Sequence, residues 1–195
     1  QELAEKGYPS GTLVVADKQE SGKGRRGRSW VSPSGTGIFM TLMIKPDINP
    51  NNASMLTLVA ALAVAKAITS VTGEEALIKW PNDIVVNGKK VCGILTEMTS
   101  AGPVMGIGIN VNQSEDGFPP ELRNIASSLK IICKREFCRA QIIAAVIEEL
   151  DLINAGFPEK REEYLKEYRE NCAVIGEEIS IERGGEIKKG LAVGI

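Results

Sequence analysis

Histidine is absent from the chain, and its absence removes several kinds of chemistry at once. Histidine is the commonest general base and metal ligand, and it activates the serine or cysteine of many nucleophilic enzymes. Aromatic residues make up only 5% of the 195 residues. Proteins that bind single-stranded RNA stack its bases on several aromatic side chains. The composition therefore disfavours histidine-dependent catalysis and a non-enzymatic RNA-binding module.

Cysteine patterns and membrane signals are equally sparse. The four cysteines show neither CxxC pairing nor zinc spacing, which is typical of unremarkable thiols in a reducing compartment. The longest mainly apolar stretch, residues 55–68, is too short for a bilayer span and contains Lys66. No basic-then-apolar signal segment opens the chain. We therefore expect a cytoplasmic protein that does not enter a membrane.

Charge is nearly balanced, because the net charge is −2, and the chain is 43% hydrophobic and 25% charged. These values are typical of a globular protein, and the length fits one good-sized domain plus a small appendage. Without a general attraction to nucleic acid, any polyanion site must be local. Both ends look cut, since residues 1–6 form a helix-like run without a cap and Ile195 ends an apolar alternation without a turn.

The apolar pattern predicts an α+β fold in which a mixed sheet is backed by helices on one face. Residues 12–16 are predicted as a buried strand, and residues 17–37 as a long glycine-rich loop. Further strands are predicted at residues 38–44, 76–80, 84–86, 91–98 and 104–111, with a hairpin turn at Asn87-Gly88.

Helices are predicted at residues 51–72, 139–156 and 159–171. Asn52 or Ser54 is the candidate cap of the first helix. Residues 177–193 alternate like a small β unit with a turn at Gly184-Gly185. The chain is therefore expected to end in the beginning of a small β domain.

The first candidate site is the basic loop, residues 22–30, with the sequence GKGRRGRSW. Glycines let backbone N–H groups approach an oxyanion, and lysine and arginine add charge-assisted hydrogen bonds suited to phosphate. Trp30 could stack a base. The loop is neither a Walker loop nor a dinucleotide-binding loop. The alternative is a flexible basic loop that touches RNA or stays solvated.

The second candidate site is the KWPND segment, residues 79–83, between two predicted strands. Lys79 at a strand end can direct a point charge at a carboxylate or phosphate, and Asn82 and Asp83 could orient ligand or Mg²⁺ oxygens. The alternative is a Pro-Asn turn with a surface lysine.

The third candidate site is a strand with alternating glycines, GIGINVN at residues 106–112. Glycine is tolerated in a strand where a ligand or another backbone approaches closely, and Asn110 could contact ribose or phosphate. The alternative is a bulge or tight packing against a helix. Gly93 carries the same signal more weakly.

Together the three sites suit activation of a carboxylate by a nucleotide. Two anions repel when they meet for in-line attack, so the main task is electrostatic neutralisation rather than proton transfer. Such a reaction needs neither histidine nor a nucleophile pair.

The three motifs, in this order, resemble those of the biotin–protein ligase family: its GRGRRGR loop at residues 22–28, its KWPND at residues 79–83 and its GxGxN strand at residues 106–110. Residues 17–19, 93–95 and 126–129 also look like family segments. The resemblance implies a catalytic domain like those of class II aminoacyl-tRNA synthetases at residues 1–171, whose N-terminal part is missing. It implies the beginning of an SH3-like domain at residues 172–195.

The resemblance further implies that biotin and Mg-ATP give biotinyl-5′-AMP, from which biotin passes to a lysine of a biotin carboxyl carrier protein or domain. Lys79 and Arg25 would be the catalytic residues, whereas the metal ligands are left open. The biotin-binding residues would be Gln19, Lys23, Gly24, Arg25 and Lys79. The residues that bind ATP or the adenylate would be Arg25, Arg28, Trp30, Asn82 and Asn110.

Two departures from the family pattern stand out. Lys23 replaces the usual arginine, which keeps the charge and loses the bidentate fork, and the Ser/Thr-rich biotin-binding segment is missing. The competing enzyme is a lipoate or octanoate ligase of the same superfamily, which the GRGRRGR-like loop with KWPND disfavours. A DNA-binding repressor would need an N-terminal domain, and the residues before Thr12 are too few to form one. Because the N-terminus looks cut, an upstream domain stays an open alternative, and no nucleic acid is expected to bind this chain. The family also allows a homodimer.

Overall fold

The computed structural model describes residues 2–44, 53–100, 102–157 and 159–195. Its helices are α1 (Glu2–Glu5), α2 (Ala53–Thr72), α3 (Leu129–Cys133), α4 (Arg139–Gly156) and α5 (Arg161–Glu170). Its strands are β1 (Leu13–Ala16), β2 (Gly37–Met43), β3 (Ala76–Lys79), β4 (Asp83–Val86), β5 (Lys89–Thr99), β6 (Gly102–Asn110), β7 (Glu178–Arg183) and β8 (Glu186–Leu191).

Six strands form one sheet in the order β1-β2-β6-β5-β4-β3. Every neighbouring pair is antiparallel. The α+β fold with helices behind a large sheet is confirmed, but the expected mixed sheet is wrong in its pairing. Within the described residues, parallel pairing is confined to two isolated bridges, Ile78 with Cys172 and Lys90 with Ala126. Short hairpins join most neighbouring strands, and such connections give antiparallel pairs.

The core lies between one face of the sheet and helices α2 and α4. Alternate residues of β5 and β6 face it, including Ile94, Ile107 and Ile109, as strand geometry requires. The two hairpin turns are confirmed, since Asn87 and Gly88 have φ values of 49° and 73° and Gly184 and Gly185 have φ values of 62° and 83°. Two consecutive residues with positive φ are typical of the turns that match strand twist.

Helix α2 corrects the estimate that its apolar stretch is too short for a membrane. Residues Met55–Thr72 have the length and composition to cross a bilayer. The helix is nevertheless packed between the sheet and α4, and residues 60–65, 67 and 68 are buried. A helix that is apolar on nearly all sides is expected in such a buried layer. Lys66 reaches outward to Glu167 at 3.0 Å. The candidate cap Asn52 lies outside the described residues, and Ser54 lies within the helix.

Strand β1 was predicted to be buried, and that prediction is wrong. Among the described strands it pairs only with β2, and it is the last strand in the sheet order. Val14 and Val15 are 40% and 50% exposed. Its β-branched residues signal a strand but carry no information on its place in the sheet, because that depends on contacts with distant segments.

The segment after α5 returns to the large sheet. The Ile78 N–H donates to Asn171 O at 2.8 Å, and the Ala173 N–H donates to Ile78 O at 2.9 Å. Cys172 is buried in the main core, whereas the β7–β8 hairpin is largely exposed. The division at residue 172 stays a prediction, and the packing of Cys172 favours a boundary a few residues later.

All four cysteines are free thiols in the structure. Burial raises the pKa of the Cys92 thiol far above its ordinary value, so this thiol stays protonated and unreactive at neutral pH.

Candidate active site

The sheet face opposite α2 and α4 carries the candidate site. Strand register places one residue of each strand in a single row across this face. Paired residues point to the same side of a sheet. Lys79 therefore lies on the same face as Gly93, about 10 Å away, at two strand spacings of about 4.8 Å. From β1 to β3, the row is Ala16, Phe39, Gly108, Gly93, Asp83 and Lys79.

The basic loop folds into a small hairpin over this face. The Trp30 N–H donates to Gly22 O at 2.8 Å, and the Gly24 N–H donates to Arg28 O at 2.7 Å. Arg26 and Gly27 turn the tip with φ values of 55° and 73°. Glycine makes the second of these conformations inexpensive. The loop is therefore ordered by its own backbone hydrogen bonds.

The Trp30 indole lies on the paired glycines of β5 and β6. A Cβ atom added to Gly108 would meet Trp30 Cε2 at 2.7 Å, and one added to Gly93 would meet Trp30 Cζ3 at 2.9 Å. Close approach at these glycines was predicted, but for a ligand or another backbone. The structure shows instead an aromatic side chain of the basic loop, so one face of the indole is occupied by the sheet. The adenine contact of Trp30 stays a prediction.

A hydrogen bond joins the first two motifs. Arg25 Nη1 donates to Asn82 Oδ1 at 3.0 Å. Asn82 is itself fixed to β5, because its Nδ2 donates to Ile94 O at 2.7 Å and its own carbonyl oxygen accepts from the Ile94 N–H at 2.9 Å. Arg25 is thereby held above the sheet, 57 residues away in sequence from its partner.

Asp83 and Lys79 have different surroundings although they are paired across the β3–β4 hairpin. Lys90 Nζ lies 2.7 Å from Asp83 Oδ1 and 5.3 Å from the centroid of the Trp30 ring. Lys79 is exposed. Within the described ranges, no carboxylate lies within 4.0 Å of the Lys79 ammonium. Lys79 therefore offers an unpaired positive charge beside the loop.

The base of the loop is fixed to α4. Arg139 Nη1 lies 2.9 Å from Asp17 Oδ1 and donates to Gly37 O at 3.0 Å. Ser34 Oγ also donates to Asp17. The Ser34 hydrogen bond and then Arg139 hold the pKa of Asp17 below its ordinary value, so this carboxylate stays charged at neutral pH. Within the loop, Gln19 Oε1 accepts from Ser32 Oγ at 2.8 Å.

Two clefts adjoin the loop. A small cleft of about 70 Å³ lies beneath it, and a larger one of about 910 Å³ lies between it and β5. Gln19, Lys23, Gly24, Arg25 and Trp30 line both clefts, Arg28 lines the larger one, and Asn82 lines the smaller one. Ligand pockets usually measure about 300–1,000 Å³. The larger cleft falls within this range, and the small cleft is below it.

Gly93, Gly106 and Gly108 line the small cleft, and of these three only Gly106 has open surroundings. A Cβ atom there would meet only Leu95 O, at 3.6 Å, which is ordinary contact. The space above Gly106 is thus available to a ligand, whereas the space above Gly108 is filled by Trp30.

Asn110 and Lys79 line neither cleft. Asn110 is 5% exposed, and its Oδ1 accepts from Gln113 Nε2 at 3.2 Å. The nucleotide contact of Asn110 stays a prediction.

Sequence reasoning did not single out Lys90 or Arg139, because a lone lysine near a strand start or a lone arginine at a helix start has no distinctive pattern. The cap of α3 was also missed, although Ser128 before an apolar run signals it, and Ser128 Oγ accepts from the Ile131 N–H at 3.2 Å.

Fold and site together define an α+β domain with a cationic loop over a glycine-bearing sheet. The profile of the Biotin/lipoate A/B protein ligase family matches residues 1–114. The chain belongs to this family, which confirms the resemblance drawn from its motifs.

Individual relatives are also ligases by name. The chain is 48% identical over 151 residues to the Bifunctional ligase/repressor BirA of Bacillus spizizenii. The aligned residues cover 75% of this chain and 46% of that protein. The chain is 28% identical over 187 residues to the Biotin--[acetyl-CoA-carboxylase] ligase of Mycobacterium tuberculosis, 93% of this chain and 69% of that protein. The chain spans about half the length of several curated relatives that it matches.

Among solved structures, the biotin protein ligase from Aquifex aeolicus in complex with biotin and ATP has a TM-score of 0.90 and 32% identity. That comparison covers 100% of this chain and 82% of the Aquifex chain.

Proposed function

We propose that this chain activates biotin with ATP and transfers it to a lysine of a biotin carboxyl carrier protein. The observation that carries the proposal is the placement of the basic loop, with Arg25 held at Asn82 beside the open space above Gly106. The same fold in the Aquifex protein was solved with biotin and ATP. Of the curated relatives named above, the Mycobacterium protein is a biotin ligase by name and the Bacillus protein is a bifunctional ligase/repressor.

In the proposed first step, a carboxylate oxygen of biotin attacks the α-phosphorus of ATP and pyrophosphate leaves. Lys79 and Arg25 would neutralise the charge that develops between the two anions. Gln19, Lys23 and Gly24 would contact biotin with them. Arg25 and Arg28 would hold phosphates, and Trp30, Asn82 and Asn110 would hold the nucleotide. Because Lys23 lacks the bidentate fork of arginine, we expect it to act as a point charge.

In the proposed second step, the neutral amine of the carrier lysine attacks the carbonyl carbon of biotinyl-5′-AMP. AMP leaves, the amine loses its proton to solvent, and an amide forms. The chain supplies no covalent nucleophile in either step, so its contribution is positioning and electrostatic stabilisation.

Magnesium would arrive with ATP and be held mainly by phosphate oxygens, as Mg²⁺ commonly is in nucleotide sites. The carboxylate of the KWPND segment, Asp83, is already paired with Lys90. Among residues 2–44, 53–100, 102–157 and 159–195, no group of three or more acidic or cysteine side chains is placed to hold a metal. We further propose cytoplasmic action on the carrier as a monomer or homodimer, without nucleic acid or membrane.

Biotin-dependent exchange of labelled pyrophosphate into ATP tests the first step, with lipoate and octanoate as parallel acids. The family includes lipoate ligases, so the choice of acid is decisive. We expect exchange with biotin and at most background exchange with the two fatty acids. Exchange with lipoate or octanoate but not biotin would establish the competing enzyme instead.

Arg25→Ala is expected to loosen the adenylate rather than prevent its formation. Arg25 sits on a loop that closes over the product, so its loss should raise the rate of biotinyl-5′-AMP release by about tenfold, the effect of losing one charged hydrogen bond. Release is measured by rapid filtration, with Arg161→Ala at the start of α5 as control, since this arginine is exposed and lines neither cleft. Release at the wild-type rate would contradict the assignment of Arg25 to this loop function.

A further inference from the structure

Lys90 is a charged residue of the site that lies outside the three motifs. It is the second residue of β5, and both of its backbone polar groups are hydrogen-bonded, because its N–H donates to Ile125 O at 2.9 Å and its carbonyl oxygen accepts from the Ser127 N–H at 2.9 Å. Its side chain is about one-third exposed and lines the small cleft. A lysine that is mostly buried beside the cleft contributes little to solubility, so its contacts in the site indicate another role.

The partners of Lys90 suggest one. Its ammonium lies 2.7 Å from the Asp83 carboxylate. Asp83 is the direct cross-strand partner of Lys79, and Cβ atoms of such partners lie about 4.5–5.5 Å apart. Opposite charges at that separation normally pair. Lys79 nevertheless has no carboxylate partner in the described part of the chain, and Asp83 is paired with Lys90 instead.

We propose that Lys90 is a positioning residue that sequesters Asp83 and so keeps the Lys79 ammonium available to the substrate. This inference rests on the proposed function, in which Lys79 acts on the reacting carboxylate and phosphate. Without Lys90, Asp83 turns to Lys79 across the hairpin, and the positive charge needed between two anions is neutralised before substrate binds.

A purely structural role makes a different prediction. The Lys90 ammonium also lies over the Trp30 ring, so its loss could instead unseat the basic loop. Removing the Asp83 charge would not repair a lost contact with Trp30. It would, however, free Lys79 if sequestration is the function of Lys90. A second substitution therefore separates the two roles.

The test measures biotin-dependent pyrophosphate exchange in Lys90→Met, Asp83→Asn and the double variant. Methionine keeps most of the apolar stem against Trp30 while removing the charge. We expect Lys90→Met to lower kcat by about tenfold, within the usual range of coupling inside one ion-pair network. The double variant should return to within about threefold of Asp83→Asn alone. In a Lys79→Met background, Lys90→Met should have no further effect.

Lys130→Met is the matched control, since Lys130 pairs with Glu136 at the same 2.7 Å distance and lines neither cleft beside the loop. A double variant no faster than Lys90→Met would overturn the inference. The inference would also be overturned if Lys90→Met lowered pyrophosphate exchange by the same factor in the Lys79→Met background as in the wild-type background. Absence of exchange in the wild-type chain would instead contradict the proposed function, so the two failures are distinguishable.

Discussion

Replacing Lys79 by methionine should lower biotin-dependent pyrophosphate exchange by about 100- to 1,000-fold, the usual cost of removing one preorganised group that stabilises transition-state charge. The loss should fall on kcat more than on the KM for biotin, because the charge is needed most when the carboxylate meets the α-phosphate. Lys79 is exposed at the end of β3 and has no ion-pair partner among the described residues, so the thermal midpoint should barely change.

Lys166→Met is a suitable control, since this lysine is 76% exposed on α5. It should retain wild-type exchange. If Lys79→Met also exchanged pyrophosphate at the wild-type rate, the assignment of Lys79 to adenylate formation would be wrong.

Gly108→Ala should displace Trp30 from the sheet and with it the basic loop. The new Cβ would lie 2.7 Å from Trp30 Cε2. Overpacking of this kind typically costs about 1–3 kcal/mol. We therefore expect exchange to fall by about tenfold or more. In a Trp80→Phe background, the fluorescence of Trp30 should report its transfer to water.

Gly106→Ala is the matched comparison, because its Cβ meets only Leu95 O at 3.6 Å. It should leave Trp30 fluorescence unchanged while raising the KM for biotin. If Trp30→Ala is present, Gly108→Ala should have little additional effect, since the side chain it displaces is gone. If Gly108→Ala lowered exchange just as much in the Trp30→Ala background, displacement of Trp30 could not be the cause of the loss.

The parts of the fold that follow from local sequence were predictable. The Asn87-Gly88 turn and the long helices are determined by neighbouring residues, through positive φ and helical apolar spacing. The exposure of β1 was not predictable in the same way. Its place at the sheet edge depends on which distant strand pairs with it, and that information is absent from a five-residue pattern.

The candidate site shows the same limit. Glycines at positions 93 and 108 predicted a close approach, but only the register that pairs them identifies Trp30 as the group that approaches. The Arg25–Asn82 hydrogen bond and the Lys90–Asp83 ion pair likewise depend on sheet order. A motif gives the residue types that a reaction needs, whereas their partners follow from long-range packing.

The most direct test of the account is to incubate the chain with biotin and Mg-ATP and identify the bound product by mass spectrometry. We predict that biotinyl-5′-AMP is bound to the protein. When a carrier protein is added, this adenylate should disappear and a biotinylated carrier lysine should form. Lipoate in place of biotin should give no adenylate. A lipoyl or octanoyl adenylate without a biotinyl one, or no acyl adenylate from any of these acids, would contradict it.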